Sequence, residues 1–459
     1  MRLKAYPKYK ESGIEWLGEL PEGWEVTKVK YVANFTVSNV DKKYQEGETP
    51  IRLFNYTDVY NNEFLTNDID LMAASASLEQ IRKFNAQNND VLITKDSEDW
   101  RDIARPALVK SSAPDIVCGY HLAIIRPCIK QTVGKFIYRL LQSNLINQQF
   151  QIASNGVTRY GLPKSAIGDS LFTVPPLKEQ QAIASFLDRE TTRIDALIQK
   201  KELMIELLKE KRIALITQAV TKGLDPNAKM KDSGIEWLGE VPEHWEMKRI
   251  KDLLIPKIGA IKTGPFGSQL LSSEMEESDV KIYNQKSVIS NNFEYGENYI
   301  SFEKFEELRA FQTFPGDFLI TTRGTIGRCA ILPPNSEQGI LHPCLMRLQT
   351  NKRVVADRFL EILIEESPII LGQLKLKSNG TTIDVIYQDS LKNVSVLLPP
   401  LQEQLAIADF LDMKAGRIDI LKHQVEASVN LLREYRSSLI HSAVTGKIDL
   451  RENEHGISL

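Results

Sequence analysis

The chain carries the same passage twice, and no other feature constrains its fold as strongly. Pro175-Pro176-Leu177-Lys178-Glu179-Gln180 opens a long run at mid-chain, and Pro399-Pro400-Leu401-Gln402-Glu403-Gln404 opens a matching run nearer the end. The two runs stay in register without a gap to Ala219-Val220-Thr221 and Ala443-Val444-Thr445, with about half the positions identical. A second pair, Ser12-Gly13-Ile14-Glu15-Trp16-Leu17-Gly18-Glu19 and Ser233-Gly234-Ile235-Glu236-Trp237-Leu238-Gly239-Glu240, heads each half. A period of roughly 220 residues lies far above the roughly 20–50 of solenoid repeats. The repeating unit is therefore a domain plus a helix. Two similar but non-identical modules on one polypeptide act as a covalent dimer, which suits a ligand with two different half-sites.

At 459 residues the length allows several domains, each with its own core, and the repeat narrows them to two. The formal net charge of −3 gives no electrostatic sign of nucleic acid, so a DNA-binding role must rest on particular residues. Cys118, Cys128, Cys329 and Cys344 show no Cys-x-x-Cys pairing and no His at zinc spacing, and read as reduced, partly buried thiols, with no metal site. No window of about 18 apolar residues occurs, and Met1-Arg2-Leu3-Lys4 leads into polar sequence, so a cytoplasmic protein without membrane association is expected.

From Trp24 to about Thr173, short β-like stretches alternate with turn residues; Pro50–Phe54, Asp90–Thr94 and His121–Arg126 are the clearest strands. A helix over Lys135–Gln149 has an apolar face of Phe136, Leu140, Leu141 and Ile146, so each module is mixed α/β (α+β). The second half runs in parallel. Lys281–Asn284 matches Arg52–Asn55, Asp317–Thr321 matches Asp90–Thr94, and His342 with Arg347 fall where His121 and Arg126 fall. Ser154–Thr158 similarly pairs with Ser378–Thr382. The expected order is a recognition module over 1–174, a spacer helix over 175–222, a linker and second module over 223–398, a second spacer helix over 399–446 and a tail over 447–459.

Each long run carries one apolar seam at heptad spacing. Leu187, Ile194, Leu197, Leu208 and Leu215 line the first; Leu411, Ile418, Leu421, Leu432 and Leu439 line the second. A single seam of that length needs a partner helix, and the other copy is at hand. Connectivity favours an antiparallel, coiled-coil-like pair with a module at each end, pseudo-two-fold, acting as a ruler between half-site readers.

These residues resemble the specificity subunits of type I restriction-modification systems over nearly the whole chain. The carriers are Ser-Gly-Ile-Glu-Trp-Leu-Gly-Glu with Pro21-Glu22-Gly23-Trp24 and Pro242-Glu243-His244-Trp245, then Pro-Pro-Leu-x-Glu-Gln-x-Ala-Ile-Ala-x-Phe-Leu-Asp ending in Arg-Ile-Asp, each present twice and in order. The resemblance implies a non-catalytic subunit whose two target-recognition domains read the halves of a split double-stranded DNA site. It also implies two adenine methyltransferase subunits docked on the chain, with motor-nuclease subunits adding restriction. S-adenosylmethionine, ATP and magnesium would belong to those partners. The chain agrees by what it lacks: no Asn/Asp-Pro-Pro-Tyr/Phe motif, no Gly-x-x-x-x-Gly-Lys-Ser/Thr phosphate loop, and no nuclease carboxylates after Pro114-Asp115. A helical scaffold that assembles proteins without touching DNA is the rival reading.

Readout needs Arg or Lys against guanine and Asn or Gln against adenine, while phosphates take Lys, Arg, hydroxyls and backbone N–H groups. Loops that follow matched strands supply such residues. In module one these are Lys95 and Arg101, with Asn55, Tyr56, Arg159 and Tyr160; in module two they are Arg323 and Arg328, with Asn284, Gln285 and Lys286. Gly264–Ser268 reads as a tight turn presenting Ser268 or Lys262. His121 and His342 sit in apolar strands and read as hydrogen-bonded core residues. Glu179, Asp188 and Asp195, with Glu403, Asp412 and Asp419, read as helix-capping and surface-pairing acids, not catalytic carboxylates.

Overall fold

Two successive prolines start each long helix, because proline has no N–H to leave unpaired at a helix start and its fixed φ is already helical. The computed structural model describes residues 4–236, 238–275, 279–294, 298–377 and 385–451; Trp237, the segment 378–384 and the tail past 451, all named above, lie outside them. The helices run over Leu177–Lys222 and Leu401–Val444. Gly223 (φ +73°) follows the first and Gly446 (φ +72°) the second, in the left-handed conformation that closes a helix without a Cβ penalty.

The chain divides into two units, Met1–Glu202 with Ala427–Leu459, and Leu203–Glu426, so each unit holds one end of both helices. In the first unit the helices run antiparallel: Asp195 pairs with Arg436 at 2.8 Å and Glu202 with Arg433 at 2.7 Å. In the second, Arg212 of one helix reaches Asp419 of the other at 3.1 Å.

The first unit centres on a five-stranded sheet in the order 33–37, 122–127, 91–94, 106–109, 64–65, beside a three-stranded sheet of 116–118, 49–54 and 72–76. The second repeats the plan with 261–263, 345–348, 318–321, 329–331 and a companion sheet of 299–300, 280–283, 339–341, 312–313. Strands Val91–Thr94 and Phe318–Thr321 are buried at every residue, which explains their unbroken apolar runs. Asp90, at the mouth of the first, is 1% exposed and takes two hydrogen bonds from Arg126, at 2.8 and 2.7 Å.

One expected helix is two. Gly134–Leu141 ends before Ser143, and Asn144–Ala153 starts a new axis; Ser143 is extended (φ −74°, ψ 121°), so the apolar face continues across a corner. The seam residues also divide. Leu187, Ile194, Leu208, Leu411 and Leu439 are buried and Leu215, Ile418 and Leu432 are half-buried, whereas Leu197 and Leu421 are 43% and 38% exposed. A straight helix turns every 3.6 residues, so a strict seven-residue stripe drifts off the contact face; Ile198, one residue on from Leu197, takes the buried place.

The glutamines and acids repeated in the long helices are seats for the modules. Gln180 is fully buried: its Oε1 accepts from Val133 N–H (3.1 Å) and the Thr132 hydroxyl (2.9 Å), and its Nε2 donates to the carbonyls of Gln131 and Pro175. Gln404 does the same in the second unit, accepting from Ala356 N–H at 2.8 Å and donating to Val354 and Pro399. Asp188 takes Arg139 at 2.8 Å and Asp412 takes Arg358 at 3.0 Å, each arginine standing on a module helix. Arg436 adds Glu63 to its bond with Asp195, and Arg212 adds Glu366 at 2.8 Å to its bond with Asp419. These acids are thus not simple surface pairs. Glu179 is 8% exposed and accepts from the Tyr6 hydroxyl, and Glu403 accepts from Trp245 Nε1 (3.1 Å) and His244 Nε2 (2.8 Å).

Candidate nucleic-acid interface

Where strand Val91–Thr94 ends, Lys95 turns the chain and Asp96–Ser97 pairs antiparallel with Tyr160–Gly161. Asn155 and Gly161 exchange backbone hydrogen bonds at 3.0 and 2.8 Å, closing a loop that carries Arg159 at its exposed end. Gly156 (φ +149°) makes the loop possible, since a Cβ there would lie 1.9 Å from the Arg159 carbonyl oxygen. Gly156→Ala is expected to open this loop while leaving the melting of the fold within about 1 kcal/mol of wild type, because the loop is exposed. Faster amide exchange confined to 155–161 would report it; unchanged exchange there would show that the loop does not depend on the glycine.

The same end of the module gathers His121, Tyr120, Asn55 and Tyr56 around one hollow. His121 Nδ1 lies 2.9 Å from Asp96 Oδ2, and Arg159 Nη2 lies 3.1 Å from His121 Nε2. Asp96 also takes Lys95 Nζ at 2.7 Å. Burial alone would raise the Asp96 carboxyl, but the His121 and Lys95 hydrogen bonds outweigh it and hold it below the usual carboxylate range. The Tyr120 ring sits edge-on to the imidazole at 4.3 Å, and the Tyr56 hydroxyl lies 3.2 Å from Ser97 Oγ. Asn55 is the N-cap of helix Tyr56–Asn61, but there only its backbone N–H is used, donating to Asp58 Oδ2 at 2.7 Å, and its side chain makes no capping bond.

Of the other two basic candidates of module one, Lys95 joins this group from the inside and Arg101 stands apart from it. Lys95 is turned inward, its side chain 16% exposed and bound to Asp96. Arg101 lines a different hollow with Tyr60, Arg105 and Gln151, and pairs with Asp99 at 2.7 Å.

Module two places Arg323 at the topological position of Asp96: its backbone bridges to Val385 as Asp96 bridges to Gly161. The Arg323 guanidinium lies 5.7 Å from the Phe266 ring centre, and both face a hollow shared with Lys262, Tyr387 and Gln388. Phe266, half exposed, stands at the tip of the Gly264–Ser268 turn, where Ser268 and Lys262 were the expected presenters. Asn284 caps helix Gln285–Ile289 by accepting from Ser287 N–H, and Gln285 Nε2 reaches the Thr325 carbonyl at 3.4 Å. Lys286 stands in the first turn of that helix. Arg328 is drawn away, toward Glu365 at 3.6 Å.

The two histidines are not equivalent core residues. His342 is the more enclosed: burial and the nearby Arg323 charge both lower its pKa, and its Nδ1 accepts from Cys344 N–H at 3.2 Å. His121 belongs to the candidate surface, its side chain 29% exposed. It stands one residue before its strand proper, at Leu122–Pro127, and its neighbours Asp96 and Arg159 are far away in sequence. The one signal available in the sequence was that both halves repeat it.

The described residues hold no group of His, Cys, Asp and Glu able to bind a metal, all four cysteines are free, and no helix is long and apolar enough to cross a membrane. The family model of the type I restriction modification DNA specificity domain matches residues 21–207 and 242–431. The type I restriction enzyme EcoKI specificity subunit of Escherichia coli K12 is 23% identical over 447 residues, spanning 94% of this chain and 90% of that protein. A putative type I restriction enzyme MjaX specificity subunit of Methanocaldococcus jannaschii is 22% identical over 452 residues, spanning 96% and 98%. Among solved structures, the HsdS subunit from Thermoanaerobacter tengcongensis shares the fold with a TM-score of 0.56 at 17% identity, over 94% of this chain and 98% of that one. A chain from a structural study of assembly and conformational transition in a type I R-M system gives a TM-score of 0.64 at 17% identity, over 94% and 99%.

Proposed function

Because the chain belongs to the type I restriction modification DNA specificity family, with two DNA target-recognition domains on one polypeptide, we propose that each module reads one half of a split DNA target and that the long helices set the spacer between the halves. The observation that carries this is one frame with two sets of groups. The same strand end and the same following bridge present Asp96 with His121 and Arg159 in module one, and Arg323 with Phe266 in module two. Scaffold positions agree between the halves while the exposed groups differ, as two readers of different sequences require.

On this reading Arg159, Arg323, Asn55, Tyr56, Tyr160, Asn284, Gln285 and Lys286 contribute base or phosphate contacts. Lys95, Arg101 and Arg328 have carboxylate partners at 2.7–3.6 Å and act first on the shape of their loops. The chemistry lies in partners. Two methyltransferase subunits supply adenine methylation with S-adenosylmethionine, and motor-nuclease subunits with ATP and magnesium supply cleavage, in the cytoplasm where the DNA is. The apolar residues exposed along the helices, such as Leu203, Leu207, Ile420 and Leu431, offer those partners a surface.

Co-expression with the cognate methyltransferase in a methylation-free host, followed by single-molecule mapping of modified adenines, is expected to return two short half-sites around a fixed spacer. A formed complex that modifies adenines without regard to sequence would overturn the proposal.

A further inference from the structure

We propose that Arg159 reads a guanine of the half-site bound by module one, and that His121 is the residue that positions it. This rests on the reading above and adds the group that gives one half-site its base preference. The Asp96 carboxylate can only accept, so the proton shared with His121 sits on Nδ1, and that bond fixes the plane of the ring. Arg159 Nη2 lies 3.1 Å from His121 Nε2 and 3.5 Å from Nδ1, so the guanidinium rests against the face of the imidazole and not in line with a ring lone pair. The charge on Asp96 is balanced by Lys95 at 2.7 Å, not by Arg159.

This arrangement differs from those of four other arginines in the module, while Arg105 likewise lies over a ring, that of Tyr60, at 4.2 Å. Arg52, Arg101, Arg126 and Arg139 each bind a carboxylate, at 2.7–2.8 Å. A carboxylate positions a guanidinium but also cancels its field and occupies its paired donors. An imidazole face supports the flat guanidinium by stacking and leaves its charge and its N–H donors for a ligand. Among the described residues the Arg159 guanidinium has the His121 ring against it and no carboxylate within ion-pair distance.

The backbone is held as well as the side chain. The loop is closed by the Asn155 and Gly161 bonds, and Leu162 N–H donates to the Lys95 carbonyl at 2.9 Å, so Arg159 rises from a segment stitched to the strand that bears Asp96. Two paired donors on a planar fork, presented without a competing acid, match the O6 and N7 edge of guanine in the major groove. Holding that fork in one geometry before binding is what discrimination at a single base requires.

The test uses the full chain with its methyltransferase partner and maps modified adenines for wild type, R159A, H121L, H121Q and the R159A/H121L pair. R159A and H121L are expected to relax the same guanine of one half-site, raising methylation at sites mismatched there by about tenfold or more. The double variant should do no worse than R159A alone, since the two residues act as one unit. H121Q should keep the wild-type motif, because its planar amide can lie flat against the guanidinium while donating to Asp96. The other half-site stays unchanged throughout. Three results would overturn the proposal: R159A lowering methylation evenly at all sites, which marks a phosphate contact; relaxation at a base other than guanine; or relaxation by R159A with H121L silent. Arg159 is exposed, so R159A decides the readout even where H121L loses stability. A wild-type complex with no motif at all would instead sink the underlying reading, before any variant is compared.

Discussion

Replacing Gln404 by leucine is expected to lower the melting temperature of the second unit by about 8–16 °C. Leucine nearly matches glutamine in size, so the cavity term is small and the cost is polar. The substitution leaves Ala356 N–H without its acceptor and the carbonyls of Val354 and Pro399 without a donor, all around a side chain that is fully buried. An orphaned buried polar group costs about 1–3 kcal/mol, and roughly 4 kcal/mol in all translates to that shift at about 2–4 °C per kcal/mol for a unit of this size. Gln180→Leu should do the same to the first unit, where Val133 N–H, Thr132 and the carbonyls of Gln131 and Pro175 lose their partner. Gln402→Leu, on the exposed side of the same helical turn, is the control and should melt like wild type. Calorimetry on the three variants reads the effect, and a Gln404→Leu protein that melts with wild type would show that this seat is not what joins helix to module.

That seat marks the boundary of what could be read without coordinates. The Pro-Pro-Leu-x-Glu-Gln repeat is visible in the sequence, and the prolines announce a helix start by their own chemistry. The role of the glutamine is not visible, because most of its partners are main-chain groups, several of them on loops some 50 residues away, and any residue type can supply those. The acids behave alike. Asp188 and Asp412 read as helix-surface charges until Arg139 and Arg358 arrive from module helices whose approach depends on tertiary packing. Strands such as Val91–Thr94 were legible because a strand buried on both faces is apolar throughout. The interface was legible only as loops. Periodicity says nothing about which loop residues meet, so Lys95, Arg101 and Arg159 looked equivalent. The fold turns Lys95 inward to Asp96, sends Arg101 to another hollow and leaves Arg159 on a histidine. The heptad seam misplaced Leu197 and Leu421 for a related reason: each helix serves its module at one end and its partner helix along the middle, so no single stripe describes it.

Lengthening both long helices by four residues, between Glu202 and Leu203 and between Glu426 and Ala427, is expected to change the spacer of the DNA target and nothing else. These positions are where one unit gives way to the other along each helix, and they lie away from the module seats at Gln180, Gln404, Asp188 and Asp412. Four residues add about 6 Å of rise and about 40° beyond one full turn, so the phase of the apolar stripe shifts only slightly, and equally on both helices. At about 3.4 Å per base pair, 6 Å corresponds to roughly two base pairs. The mapped motif should therefore keep both half-sites base for base and gain about two positions between them. Inserting four residues in one helix alone should instead break the register of Arg436 with Asp195 or of Arg212 with Asp419, and lower both stability and methylation. If the paired insertion altered the bases within a half-site, the modules would not read independently. If it left the spacer as it was, some element other than these helices would set the distance.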